Sequence, residues 1–230
     1  MVITGDCRDL LKCYDDNSFN YCFTSPPYNR LRNDKYEKYC DKIDDYYTFL
    51  CDVTDELLRV CSDAVVINIQ KTSYNMTDVY KWIGNYYKWI KQEFIWVKSN
   101  PMPASGNNVT NSYESFFYLS KKPPKSNYTY TKNVITTSVN SRMPKEHKAV
   151  MKQEVCDYFI GNFFLPETKL IDPFAGLGTT EISCNKFNIE CTSIELIEEY
   201  AEMARERIEK EKVNYPHLKE GVSLRKYIMN

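Results

Sequence analysis

The chain has 230 residues and a formal net charge of −1, with 43% hydrophobic and 27% charged residues. This length suffices for a single domain over residues 1–230, and the near-neutral total excludes a uniformly basic nucleic-acid-binding protein. No apolar run approaches the roughly 20 residues of a membrane span, and the N-terminal pattern is not that of a secretory signal. Nine cysteines without a C-x-x-C pair and two histidines favour neither a metal site nor a disulfide framework. We expect an intracellular protein of the cytoplasm or nucleoid, or of a nucleus or viral factory, depending on its source.

Hydrophobic periodicity predicts strands that alternate with helices along the chain. Short β-prone runs lie near residues 2, 21, 64, 94, 113, 169 and 189. Helical patterns lie at residues 8–13, 47–61, 75–91, 149–164 and 197–208. Only a loop separates the strands near residues 94 and 113, so this pair is predicted to be antiparallel. We therefore predict an α/β fold, an open sheet of about seven strands with one antiparallel strand.

A glycine-containing turn, the segment DPFAGLGTT at residues 172–180, connects a predicted strand to a predicted helix. Such a turn brings backbone N–H groups and a helix N-terminus to a ligand. The spacing Gly176-x-Gly178 is a weak signal alone, because it lacks the third glycine of the dinucleotide fingerprint. Hereafter residues 172–180 are called the glycine turn.

A second motif, Ser25-Pro26-Pro27-Tyr28, follows the predicted strand at residues 21–24. Two consecutive prolines continue neither a strand ladder nor a helix, so the backbone is expected to leave the sheet there. In open α/β sheets, ligands bind beyond the carboxyl ends of the strands, at the switch point of strand order. If the two motif-bearing strands are neighbours, this SPPY turn and the glycine turn line one crevice.

Together the two motifs resemble those of the S-adenosylmethionine-dependent DNA amino-methyltransferases of the β group, in which the catalytic motif precedes the cofactor motif. The SPPY turn matches the family's catalytic pattern (D/N/S)PPY, and residues 174–178 match its cofactor pattern FxGxG. Further similarities lie at residues 5–7, 96–101, 147–149 and 194–196. The resemblance covers nearly the whole chain. It implies a Rossmann-like class I methyltransferase sheet with a circularly permuted motif order.

The resemblance implies that Ser25, Pro26, Pro27 and Tyr28 carry catalysis. The methyl group on a sulfonium is already activated, so the enzyme mainly has to position it. The methyl acceptor is an exocyclic amine of a base flipped out of DNA, and its lone pair is delocalised into the ring. Hydrogen bonds from this amine to Ser25 Oγ and to the Pro26 carbonyl favour a tetrahedral nitrogen. Tyr28 offers a ring on which the base stacks.

The resemblance also implies an S-adenosylmethionine site. The glycines allow close backbone approach, Thr179 and Thr180 suit the methionine carboxylate, and Glu195 suits the ribose hydroxyls. Asp6 is expected near the adenine amino group. The full set of implied cofactor-binding residues is Asp6, Cys7, Thr24, His147, Asp172, Pro173, Phe174, Ala175, Gly176, Gly178, Thr179, Thr180 and Glu195.

The partner implied by the resemblance is double-stranded DNA. Residues 121–152 hold eight basic residues and one acidic residue, and we expect this basic cluster to contact phosphates. Residues 121–145 are expected to be mostly extended loop. Residues 121–146 are interpreted as a short inserted target-recognition region, which favours a short or symmetric target or a homodimer. A cognate restriction endonuclease is a further candidate partner. The expected DNA-binding residues are Arg30, Arg32, Lys121, Lys122, Lys125, Lys132, Arg142 and Lys145.

Serine at the first motif position is, in this family, most often found in enzymes that make N4-methylcytosine, whereas aspartate is usual with adenine. The expected activity is therefore sequence-specific cytosine-N4 methylation, and adenine N6 is the alternative. RNA and protein amino-methyltransferases also use xPPY, but they generally place the glycine motif first. A catalytically inactive DNA-binding partner would carry a broken motif, and both motifs are intact here.

Overall fold

The computed structural model describes residues 1–29, 41–101, 109–138 and 150–214, which form eight strands and six α-helices. The strands are β1 (Val2–Thr4), β2 (Phe19–Thr24), β3 (Cys61–Ile69), β4 (Ile90–Lys98), β5 (Tyr113–Ser120), β6 (Val134–Thr137), β7 (Lys169–Asp172) and β8 (Glu190–Glu195). The helices are α1 (Cys7–Leu10), continued by a 3-10 turn (Leu11–Cys13), α2 (Tyr46–Val60), α3 (Met76–Tyr86), α4 (Gln153–Phe163), α5 (Thr179–Lys186) and α6 (Glu198–Asn214). Within these ranges, every helix is too short or too polar to span a bilayer.

All eight strands belong to one sheet, in the order β1-β8-β7-β2-β3-β5-β4-β6. Only β5 runs antiparallel to its neighbours, so the single antiparallel strand predicted near residue 113 is confirmed. From β2 the chain continues outward to β3, and from β7 it continues outward to β8 on the other side. The β2–β7 boundary is therefore the switch point. These two strands pair in parallel, with Tyr21 opposite Leu170 and Cys22 opposite Ile171.

Apolar cores cover both faces of the sheet. Helices α1 to α3 pack on one face, where Leu57 and Trp82 meet β-strand side chains such as Phe117. Helix α4 packs on the other face, where the ring centroid of Phe159 lies 4.5 Å from that of Phe116. Because β3 is covered on both faces, its sequence is a continuous apolar run rather than an alternating one.

The structure corrects three details of the predicted elements. A short edge strand, β6, lies inside the region predicted as mostly extended loop, and it pairs in parallel with β4. Ile135 is the only buried side chain of β6, and polar and proline-rich stretches flank the strand. Its four residues therefore show no clear hydrophobic period in the sequence. Cys61 and Ile90 fit helical spacing but belong to β3 and β4. The apolar period of each helix continues into the following strand, and this hides the boundary.

Gly178 provides a test of how the glycine turn joins α5. It has φ of 73°, in the left-handed region, and an added Cβ would lie 2.8 Å from Cδ1 of Ile208 on α6. We expect Gly178→Ala to lower the free energy of unfolding by about 1–2 kcal/mol, measured by thermal melting. The matched control is Gly84→Ala in the interior of α3, where an added Cβ meets no atom within 4 Å. This control should raise stability by roughly 0.5–1 kcal/mol, and equal effects of the two substitutions would contradict the account.

Candidate active site

A buried hydrogen bond joins the two motifs at the switch point. Thr24 is the last residue of β2 and Asp172 the last of β7, and both are buried. Thr24 Oγ1 donates to Asp172 Oδ1 at 2.6 Å, and the Phe174 N–H donates to the same oxygen at 3.1 Å. Burial raises the pKa of Asp172, and hydrogen bonds from the Thr180 and Thr24 side chains oppose that shift. The SPPY turn and the glycine turn therefore start from one shared contact.

The glycine turn is held against the end of β8 by Glu195. Its Oε2 accepts from the Gly176 N–H at 2.9 Å, and its Oε1 accepts from the Ile197 N–H at 3.1 Å. The Ala175 N–H donates to the Ile194 carbonyl at 2.9 Å. Burial raises the pKa of Glu195, and the backbone hydrogen bonds oppose the shift. Because each carboxylate oxygen has two lone pairs, Glu195 keeps capacity to accept hydrogen bonds from a ligand.

The first turn of the chain meets this edge from the other side. Strand β1 pairs with β8, which places Thr4 opposite Glu195, and the Gly5 N–H donates to the Glu195 carbonyl at 2.9 Å. Asp6 caps α1, and both of its oxygens accept from Arg8. These hydrogen bonds lower the pKa of Asp6. Asp6 and Glu195 therefore lie at adjacent strand ends, although Asp6 already has a charged partner.

The threonines of the glycine turn use their hydroxyls inside the protein. Thr179 Oγ1 accepts from Arg207 Nη1 at 2.9 Å, and the same nitrogen donates to the Leu177 carbonyl at 2.8 Å. The Thr180 side chain lies close enough to Asp172 to lower the pKa of that carboxyl group. Both threonines are buried. The groups at the start of α5 that can meet an anion are therefore its backbone N–H groups rather than these hydroxyls.

The remaining predicted cofactor residues differ in accessibility. Cys7 is buried in the core against α2, and burial raises the pKa of its thiol to about 12. Pro173 and Ala175 are also buried, whereas Phe174 is half-buried and its ring centroid lies 5.9 Å from that of Phe49. His147 lies outside the described residues. Among the described members of this group, only Phe174 presents a partly accessible side chain.

A cluster of polar side chains lies beneath the SPPY turn. Ser25 Oγ is 2.8 Å from the Tyr28 hydroxyl and 3.2 Å from Asn68 Oδ1. The Tyr28 hydroxyl is also 2.5 Å from Asn68 Oδ1 and 2.9 Å from Glu114 Oε2. Glu114 Oε1 in turn forms an ion pair with Lys98 Nζ at 2.5 Å. We call these five residues the hydroxyl cluster.

The backbone of the SPPY turn is fixed by hydrogen bonds to two of its carbonyls. The Tyr46 hydroxyl donates to the Pro27 carbonyl at 2.8 Å, and Asn75 Nδ2 donates to the Tyr28 carbonyl at 2.7 Å. Among the described residues, no donor reaches the Pro26 carbonyl. The turn is thus held by its other carbonyls, and the Pro26 carbonyl keeps its acceptor capacity.

Sequence reasoning missed Asn68 and Glu114. Each interrupts an otherwise apolar or aromatic strand, Asn68 within CSDAVVINI and Glu114 within YESFFYLS. A buried polar residue in such a strand needs a hydrogen-bonding partner, so these interruptions were the available signal. Lys98 was included only through the resemblance of residues 96–101. The sequence does not indicate that these three side chains meet Tyr28.

The structure does not bring the predicted DNA-binding lysines to the crevice. Because β5 is antiparallel, Lys121 and Lys122 follow its end at the edge of the sheet opposite the two motifs. Lys125 lies beside Asn127, which contacts the end of α4, and Lys132 precedes β6. All four lysines are exposed. Four other predicted DNA-binding residues lie outside the described residues: Arg30, Arg32, Arg142 and Lys145.

Known proteins share this fold. The PvuII DNA methyltransferase, described as cytosine-N4-specific, superposes with a TM-score of 0.73 at 17% identity over 93% of this chain and 91% of its own. The S-adenosylmethionine complex of M1.HpyAVI gives a TM-score of 0.66 at 19% identity over 90% of this chain and 98% of its own. The class I methyltransferase fold is therefore confirmed.

Sequence comparison agrees with the fold. The Type II methyltransferase M.SmaI of Serratia marcescens is 28% identical over 262 aligned residues, which cover 90% of each chain. The family described as DNA methylase, N6_N4_Mtase, matches residues 19–206, a range that contains both motifs. The chain belongs to this family of S-adenosylmethionine-dependent DNA methyltransferases that act on amino nitrogens.

Proposed function

We propose that this protein transfers a methyl group from S-adenosylmethionine to cytosine N4 of a base flipped out of double-stranded DNA, within a specific sequence. The observation that carries the proposal is the position of the SPPY turn. Thr24, directly before it, hydrogen-bonds to Asp172, the first residue of the glycine turn. Ser25 and Pro26 therefore present their acceptors at the carboxyl edge of the sheet, next to the turn that would hold the methyl donor.

The chemistry of the glycine turn fits S-adenosylmethionine. When bound, this molecule supplies a methyl group activated by the positive charge on its sulfur. Glu195 would accept the ribose hydroxyls, because its carboxylate is fixed by two backbone N–H groups and retains free lone pairs. The N–H groups at the start of α5 would bind the methionine carboxylate. We assign Asp6 to the adenine amino group. Its carboxylate would then accept hydrogen bonds from both that amino group and Arg8.

Ser25 and Pro26 would act on the amine. Ser25 Oγ and the Pro26 carbonyl would each accept a hydrogen bond from one N–H of the amine. These two hydrogen bonds favour a tetrahedral nitrogen and expose its lone pair to the methyl group. The geometry is set before the base arrives, because Tyr46 and Asn75 hold the neighbouring carbonyls. The Tyr28 ring, whose hydroxyl is tied to the hydroxyl cluster, would stack on the flipped base.

Two observations support cytosine N4 over adenine N6. The first acceptor is the Ser25 hydroxyl rather than a carboxylate. The PvuII enzyme, named as cytosine-N4-specific, shares the fold over most of the chain. Adenine N6 is the alternative, since the matching family includes both kinds of enzyme. The motif order argues against an RNA or protein acceptor, because those families generally place the glycine motif first. The two intact motifs argue against an inactive DNA-binding role.

We further propose how DNA is contacted. Asn29 directly follows the SPPY turn, and Ser138 directly follows β6. The backbone carbonyl of Thr137, the last residue of β6, accepts a hydrogen bond from the N–H of Ser99, which follows β4. Because the basic residues Arg30, Arg32, Arg142 and Lys145 follow these two positions in sequence, we assign phosphate and base contacts to them. The four lysines at residues 121–132 would contribute only long-range attraction.

The proposed biological role is modification within a restriction–modification system. M.SmaI is named a Type II methyltransferase, which supports this role and an endonuclease as cognate partner inside the cell. The protein would act as a single domain over residues 1–230, with residues 121–146 as its target-recognition region, of which the part after β6 would make the base contacts. Because this region is short, a homodimer would supply a second reading surface for a symmetric target.

The product of the reaction tests the base. The protein would be incubated with methyl-labelled S-adenosylmethionine and a duplex library of varied sequence, and the DNA would be digested to nucleosides and identified by mass. We expect label in N4-methylcytosine. Label in N6-methyladenine would contradict the base assignment alone, whereas transfer to RNA or protein without transfer to DNA would contradict the substrate class.

Glu195→Gln tests the cofactor site. The substitution removes the charged acceptor, so we expect roughly 10-fold or more weaker S-adenosylmethionine binding by calorimetry. Because burial raises the pKa of Glu195, its carboxylate becomes protonated at a higher pH than an ordinary glutamate, and affinity of the unmodified protein should fall as pH decreases through that raised pKa. The variant should lack that step. Glu202→Gln on the exposed face of α6 is the matched control, and equal affinities of the two variants would contradict the assignment.

A further inference from the structure

A buried ion pair lies beneath the SPPY turn. Lys98 ends β4 and Glu114 lies near the start of β5, and their side chains are only 12% and 7% exposed. The second oxygen of Glu114 accepts from the Tyr28 hydroxyl. Because desolvation offsets most of the attraction in such pairs, a buried ion pair is weak evidence for stability. Its contact with the proposed catalytic turn suggests a role in the reaction.

The hydroxyl cluster constrains where its protons lie. Ser25 and Tyr28 contribute one hydroxyl proton each. Asn68 turns its oxygen toward both hydroxyls, because its Nδ2 donates to the Ser115 carbonyl at 3.2 Å. The Tyr28 hydroxyl donates toward two acceptors, Asn68 Oδ1 at 2.5 Å and Glu114 Oε2 at 2.9 Å, and the carboxylate is the stronger acceptor of the two. The Ser25 proton then has two inward acceptors, the Tyr28 oxygen and Asn68 Oδ1.

We propose that Glu114, paired with Lys98, is a positioning residue that sets the direction of these hydrogen bonds. Glu114, together with Asn68, accepts the hydrogen bond of the Tyr28 hydroxyl, and the Tyr28 oxygen is then free to accept a hydrogen bond from the Ser25 hydroxyl. The lone pairs of Ser25 Oγ are then left for the target amine. This inference rests on the proposed function and adds how a hydroxyl at the first motif position serves as a dedicated acceptor.

The direction of these hydrogen bonds matters because a serine hydroxyl can donate as well as accept. A Ser25 hydroxyl that pointed its proton at the amine would compete for the nitrogen lone pair that must receive the methyl group. A Ser25 hydroxyl whose proton is engaged inward accepts an amine proton instead. The carboxylate of Glu114 also polarises the two hydrogen bonds that connect it to Ser25 through the Tyr28 hydroxyl, which makes the Ser25 oxygen a better acceptor.

A double-mutant cycle tests this coupling. Single-turnover methyl transfer to DNA would be measured for the unmodified protein, Glu114→Gln, Tyr28→Phe and the double variant, with S-adenosylmethionine affinity measured beside it. We expect each single substitution to slow transfer roughly 10- to 100-fold with unchanged cofactor affinity. Because Glu114 acts through the Tyr28 hydroxyl, the double variant should be no slower than the slower single variant. Tyr28→Phe keeps the stacking ring, so loss of stacking does not explain its effect.

Two further variants separate the coupling from folding. Glu114→Gln leaves Lys98 buried without its partner, so Lys98→Met combined with Glu114→Gln restores charge balance and should transfer as slowly as Glu114→Gln alone. The matched control is Ser115→Ala, next to Glu114 on β5. Ser115 Oγ is buried and has no hydrogen-bond partner within the described residues, so this variant should transfer at the unmodified rate.

The outcomes are distinct. Tyr28→Phe at the unmodified rate, or losses that multiply in the double variant, would overturn this inference while the proposed function stands. Recovery of the unmodified rate in the charge-balanced variant would also overturn it, because unpaired Lys98 would then explain the loss. An unmodified protein that transfers no methyl group to any DNA would overturn both the proposed function and the inference that rests on it.

Discussion

The site depends on one buried hydrogen bond, from Thr24 at the end of β2 to Asp172 at the end of β7. Removing a carboxylate from water is unfavourable unless it is hydrogen-bonded. Asp172 is accommodated because Thr24 Oγ1 and the Phe174 N–H both donate to it. These donors come from both motifs, so satisfying one buried carboxylate also brings the SPPY turn and the glycine turn together.

The same principle extends outward from that contact. Glu195 receives backbone N–H groups from the glycine turn, and the carbonyls of Pro27 and Tyr28 receive side-chain donors from α2 and the start of α3. The protein thus satisfies the polar groups that define the shape of the crevice. In the proposed function, the acceptors of Ser25 and Pro26 are the groups left to meet the base. Such preorganisation matters for methyl transfer, because alignment of the amine with an activated methyl group is the main task of the enzyme.

Much of this could be predicted from the sequence. Strands β2, β7 and β8 end at recognisable motifs, and the loop between the strands near residues 94 and 113 indicated one antiparallel strand. Strand β6 could not be predicted, because four residues with one buried side chain carry little periodicity. The roles of Asn68 and Glu114 could not either, because cross-strand packing, not local sequence, brings them to Tyr28.

The position of the basic lysines was predictable in principle. An antiparallel strand near residue 113 requires the chain to leave the sheet at the edge opposite the motifs, which is where Lys121 and Lys122 lie. Net charge along a segment predicts attraction to DNA, but it does not reveal which edge of a sheet the segment occupies.

If the Thr24–Asp172 hydrogen bond joins the SPPY turn and the glycine turn into one active site, Thr24→Val should impair the functions of both turns. Valine keeps the shape but leaves the buried Asp172 carboxylate without its 2.6 Å donor. Cofactor affinity and single-turnover methyl transfer should be measured together, with Thr24→Ser as the variant that keeps the hydroxyl. We expect Thr24→Val to lower both the cofactor affinity and the rate of methyl transfer by roughly 10-fold or more, and Thr24→Ser to keep both near their unmodified values. Unchanged affinity and unchanged transfer in a folded Thr24→Val protein would contradict it.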